Sequence, residues 1–220
     1  MHSGVIVVMD EEGHERVDRY RALNNAVFGL ALGLGAFSLS GFPIQGLEDI
    51  VMALALFASA FTIILGIWHD VHRMLKYPFG MFFAFLDYLL IFLVAIVPFS
   101  LRLLMEVGEV MKIAATLYPL NVTVSLLVLA VMYHSFVKHN QDALSKELIL
   151  WGKESRNGIL IVATFYAVSL FLPLEVELLP LPPDAPRFLQ RLFLWFLGWP
   201  AMIAYGIIYE RVHGIKFSSG

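Results

Sequence analysis

The hydrophobic positions of this chain fall into six long blocks, residues 22–40, 50–68, 82–101, 113–137, 157–174 and 192–209, divided by short stretches that carry nearly all of the charge. A helix needs roughly 20 apolar residues to cross the ~30 Å of hydrocarbon in a bilayer, so each block predicts one membrane-spanning helix. The punctuation between blocks agrees. The turn formers of GFPIQG end the first, His69, Asp70, His72 and Arg73 end the second, and Tyr77-Pro78-Phe79-Gly80 predicts a bend before the third. Pro119 falls early in the fourth block and Pro200 inside the sixth; a membrane helix tolerates proline where neighbours satisfy the carbonyl it frees. The expected fold is therefore all-α: one membrane domain of six transmembrane helices, preceded by a polar segment, residues 1–18.

The connections orient this domain. Eleven Lys and Arg residues lie on the side that holds both termini and four on the other, which predicts both termini in the cytoplasm and a multi-pass protein of the cell membrane. On the inner side, residues 141–156 set Leu144, Leu148 and Trp151 on one face, predicting a segment that lies along the membrane surface. On the outer side, EVELLPLPPDAPR predicts a stiff connection in which Asp184 caps the last helix. The two halves show no clear repeat, which gives an inverted-repeat transporter little support.

Composition removes other classes of function. At 59% hydrophobic and 15% charged residues, the chain is too apolar for an ordinary soluble domain. A net charge of −3 with no long basic run gives no footing for nucleic acid. Without cysteine there is no disulfide, thiolate metal site or cysteine nucleophile. No Gly-x-Ser-x-Gly and no phosphate-cradling glycine loop occurs, so neither an enzyme nor a cofactor is expected. The apolar run 4–9 lacks a basic residue before it and is followed by Asp10, Glu11, Glu12 and Glu15, contrary to a cleaved secretory signal.

The polar residues within the blocks are few. Asp87 is the one carboxylate inside any of them, and a charge there needs a partner or water. It reads either as a structural carboxylate bonded to a neighbouring helix or as an ion- or proton-handling group. His69 and His72 share a helix face, but no complementary motif completes a metal site, so they read as solvated helix-end residues. Glu11 and His14 form half of a carboxylate-bridged metal motif without its second half; no metal site is expected.

The first block carries the most information. It runs from Arg19 through Asn24 and Asn25 into an apolar stretch with glycines at 29, 33 and 35. Leu30, Leu34 and Phe37 follow one another at helical spacing, one residue off the Gly29 and Gly33 pair. Two readings stay open on pattern alone: glycines packed against a neighbour with the large residues toward lipid or core, or Leu30, Leu34 and Phe37 around a symmetric axis as a hydrophobic constriction.

The order of motifs resembles the transmembrane protein 175 family, lysosomal and bacterial potassium channels that lack the usual potassium-channel signature loop. Family members open their first span with Arg-x-x-x-Phe-Ser-Asp and an Ala-Val-Phe-like run, where this chain has Arg19-Tyr20-Arg21-Ala22-Leu23-Asn24-Asn25-Ala26-Val27-Phe28. They close the second span with a Trp and then a His-Arg pair, matched by Trp68, His72 and Arg73, and their third-span Asn, leucines and Pro-Phe are matched by Asp87, Leu89, Leu90 and Pro98-Phe99. The specific matches cover the first three spans, and the layout extends to all six. The resemblance implies a homotetrameric, potassium-permeable channel whose first helices line the path. It further implies a polar brace among Arg19, Asn24, Asn25, Trp68, His72 and Asp87, in which Asp87 accepts from Asn25 and from His72, Trp68 or Arg19. The chain departs from the pattern in replacing Phe-Ser-Asp by Leu23-Asn24-Asn25 and in carrying its carboxylate at Asp87. That departure motivates two alternatives: a non-conducting relative, and a proton-coupled transporter using Asp87.

Overall fold

The computed structural model describes residues 11–39, 46–77, 79–104, 109–172 and 189–214. They form six helices, α1 (Glu11–Leu39), α2 (Leu47–Met74), α3 (Met81–Leu104), α4 (Glu109–Asn140), α5 (Lys146–Phe171) and α6 (Leu189–His213). The outer connection with Asp184 lies outside the described residues. By length and composition α2, α3, α4 and α6 are long and apolar enough to cross a membrane.

Helix α4 is the central post, packing along α3 on one side and α5 on the other and touching α2. Its buried positions, Ala115, Tyr118, Val122, Leu126, Leu129 and Tyr133, recur at helical period. Helix α1 leans on α2 and α3, and α6 on α5. In hydrocarbon the helices gain little by hiding apolar surface from lipid, so close packing and polar links must hold them. A Cβ added at Gly198 would lie 3.3 Å from the Val162 backbone, and one at Gly158 would lie 2.9 Å from Met202 Cγ. Glycine thus lets α6 approach α5 closely. Trp195 Nε1 donates to Ser169 Oγ at 2.9 Å, and the Tyr166 and Ser59 hydroxyls meet at 3.1 Å, tying α5 to α6 and to α2.

Pro119 is accommodated by a named partner. Pro119 has no N–H to offer the Ala115 carbonyl, four residues back. Arg191 Nη1 donates to that carbonyl at 2.7 Å, while its Nη2 donates to the Leu172 carbonyl at 2.6 Å, just beyond the end of α5. Asn121 Nδ2 of α4 donates to the Leu93 carbonyl of α3 at 3.0 Å, a further polar link between these two helices.

The stretch 141–156 is not a helix of its own but runs into α5. Ser145 caps α5, accepting from the Leu148 N–H at 3.3 Å, and the helix runs on unbroken through Trp151. Trp151 is buried, with the Arg73 guanidinium 4.1 Å above its ring and Tyr133 and Phe136 edge-on. The apolar face that suggests a membrane surface in the sequence is spent instead on α2 and α4.

Candidate functional site: the first helix and its polar anchors

Helix α1 buries one line of residues and exposes the opposite one. Asn24, Phe28, Ala31, Gly35 and Ser38 are buried at spacings of three and four, the helical repeat that makes one face. On the other face Leu30 is 62%, Leu34 45% and Phe37 74% exposed. Among the described residues, Cβ atoms added at Gly29 or Gly33 would meet nothing within 4 Å. One added at Gly35 would lie beside the Phe57 ring of α2.

Near its midpoint α1 is anchored to its neighbours by two separate hydrogen bonds. Asn24 Nδ2 donates to Asp87 Oδ2 at 3.0 Å and to the Tyr20 carbonyl at 2.9 Å, joining α1 to α3 at a fully buried carboxylate. Asn25, one residue on and so about 100° around the helix, turns to α2, where its Oδ1 accepts from Trp68 Nε1 at 2.9 Å. His72 stacks on Trp68, ring centroids 5.4 Å apart. The expected single layer with Asn25 on Asp87 is thus two anchors, and the amide that meets Asp87 is Asn24. Neither Trp68, His72 nor Arg19 supplies a hydrogen bond to Asp87: Trp68 is used by Asn25, His72 by its stacking, and Arg19 pairs with Glu15 on the solvent side of its own helix.

Further contacts were not legible from motifs. Arg21 Nη2 donates to the Leu75 carbonyl at 3.4 Å, holding α1 to the chain just past α2, and Tyr20 packs between Phe79 and Tyr88. Two grooves flank the exposed stripe of α1. One, of about 300 Å³, is lined by Asn25, Phe28, Gly29, Leu32, Leu65 and Trp68 on the α2 side. The other, of about 550 Å³, lies on the α3 side between Arg19, Leu23, Met81 and Tyr88. Among the described residues no group of three or more His, Asp or Glu side chains is placed to hold a metal ion.

This arrangement of helices recurs in a solved structure, the crystal structure of a variant of the potassium channel MtTMEM175 in complex with a nanobody–MBP fusion protein. The similarity covers 88% of this chain and 93% of that one, with a TM-score of 0.51 and 20% sequence identity. The fold is shared with a potassium channel. At that identity the likeness speaks for the helical architecture and not for any residue's role. No family model matches the sequence, and no curated protein is similar to it.

Proposed function

We propose that this protein is a channel-like membrane protein in which several copies, a homotetramer by the resemblance, place their α1 helices around a shared potassium-permeable path. Each chain supplies one such helix, so the path requires symmetric assembly. Leu30, Leu34 and Phe37 form its hydrophobic constriction, which excludes ions by drying. The observation that carries this reading is the exposed face of α1. The helix is anchored to α2 and α3 by amides on one side, while Leu30 and Leu34 are exposed on another. A fold shared with a potassium channel supports it. The six-span membrane layout with cytoplasmic termini, the cell membrane location and the absence of enzymatic chemistry belong to the same reading. Asp87 in this reading is an anchor, since it is fully buried and engaged by Asn24, which disfavours the proton-coupled transporter.

The second reading, a non-conducting relative, is favoured by Leu23-Asn24-Asn25 in place of Phe-Ser-Asp. Potassium flux into liposomes reconstituted with the purified full chain separates the two. Flux that collapses an imposed potassium gradient, from a protein running as a tetramer in detergent and in lipid, is the expected result. Tetramers without flux would favour the non-conducting relative, and a monomer without flux would sink the channel.

A further inference from the structure

The exposed stripe of α1 does not stop at its apolar residues. Glu15, Arg19, Leu23, Leu30 and Leu34 follow at spacings of four, four, seven and four, and all are exposed. At about 100° per residue, Arg19 lies within about 20° of Leu30 around the helix, and Glu15 within about 60°. Arg19 is about 16 Å below Leu30 along the axis. The face proposed to line the path therefore continues inward into an ion pair, Arg19 Nη2 with Glu15 Oε1, whose side chains are 77% and 66% exposed. Arg21 points elsewhere: it is paired with Asp18 at 3.6 Å and bonded to the Leu75 carbonyl. Arg21 thus joins α1 to the rest of the chain, whereas Arg19 faces where the path would open.

Resting on the channel reading, we propose that Glu15 and Arg19 form the cytoplasmic vestibule, and that Glu15 is a determinant of cation passage because it cancels the charge of Arg19. A ring of uncompensated arginines repels potassium and draws in anions, since charged rings set which ions enter a narrow mouth. The Glu-before-Arg order, four residues apart, is the stabilising one on a helix, so the pair holds itself without help from another element. Neither side chain is buried, and removal of either charge leaves the helix packing intact.

The test is potassium flux and reversal potential for the full-length wild type, Glu15→Gln, Arg19→Gln and the double variant in liposomes. Measurements are made at about 10 mM salt, where charges act over roughly 30 Å, and at about 1 M, where they act over roughly 3 Å. Glu15→Gln is expected to lower potassium flux about threefold at low salt and to move the reversal potential in a potassium chloride gradient toward chloride. Arg19→Gln is expected to raise flux, the double variant to return near wild type, and all differences to shrink at high salt. Size-exclusion profiles and thermal melting should be unchanged. Equal flux from Glu15→Gln and wild type at low salt, or a loss that persists at high salt, would overturn the vestibule while leaving the channel reading standing. A wild type that carries no potassium would overturn the channel reading and the vestibule with it.

Discussion

Arg191 of α6 donates a 2.7 Å hydrogen bond to the Ala115 carbonyl of α4, the group that Pro119 leaves without its helical donor. A buried arginine is costly in hydrocarbon unless its donors are met. Here the cation and the orphaned carbonyl resolve each other, and Leu172 at the α5 end takes a second donor, where the helix dipole also favours positive charge.

Arg191→Met should therefore cost about 1–3 kcal/mol by leaving carbonyls unsatisfied. Restoring the helical N–H with Pro119→Ala in the same chain should recover part of that loss, because Ala115 then has a donor of its own. Thermal melting of the four variants measures the coupling, and strictly additive losses would show that the proline and the arginine are independent.

The seam between α5 and α6 makes a second expectation. Gly198 faces Val162 backbone, which cannot rotate out of the way as a side chain can. Gly198→Val should force the helices apart and destabilise by about 1–3 kcal/mol, whereas Gly33→Val, where a Cβ meets nothing within 4 Å among the described residues, should leave the stability of the single subunit unchanged. Matching losses in detergent-isolated monomer would count against the close approach.

Glu154, in the first half of α5, is held above the ordinary carboxylate range, first by burial and then by Glu210 of α6, against the opposing pull of Ser155 and Arg73. A raised pKa in the folded state means that the fold binds a proton more readily than the unfolded chain. Glu154 therefore costs stability above its folded pKa and ceases to do so as pH falls through it. Glu154→Gln should melt higher than wild type at neutral and alkaline pH, and the gap should close on acidification. A gap that widens toward acid would reverse the sign.

Much of this architecture was legible because blocks of apolar residues long enough to cross a bilayer leave the backbone little choice but helix. Each of the six apolar blocks falls on one of the six helices, but α1 and α5 both start well before their blocks, α5 because Ser145 caps it. What stayed hidden was azimuth. Asn24 and Asn25 differ by one step on a helix, and motif matching paired the wrong one with Asp87; the line Asn24, Phe28, Ala31, Gly35, Ser38 carried the signal, since Asn24 is four residues before a large apolar residue on the buried face. Arg191 lies just before the sixth apolar block, and its partners are backbone carbonyls, which no side-chain pattern reports.

The exposed face of α1 separates Leu30 from Leu32, which lies about 160° away and packs against the core. If Leu30 is part of a dry constriction, Leu30→Ser should wet it and raise potassium leak in liposomes. Leu32→Ser should alter stability without raising leak. Equal leak from both would reject this assignment of faces.

The two anchors of α1 make the sharpest test of the structure itself. Asn24→Asp sets a carboxylate against Asp87 at a buried position, where like charges cannot both ionise without large cost; Asp87→Asn alone replaces a charge-assisted bond by a neutral one, with a loss of about 1–3 kcal/mol. Combined, Asn24→Asp with Asp87→Asn exchanges donor and acceptor across the same 3.0 Å contact and should recover much of both losses. The parallel pair, Asn25→Asp with Asp87→Asn, should show additive losses, because Asn25 spends its carbonyl on Trp68 and residues without a shared partner do not couple. Two double-mutant cycles on the melting temperature decide between the amides. Coupling in the Asn25 cycle and none in the Asn24 cycle would mean that α1 is rotated by about one residue from the orientation described, and with it the face that Leu30, Leu34 and Phe37 present.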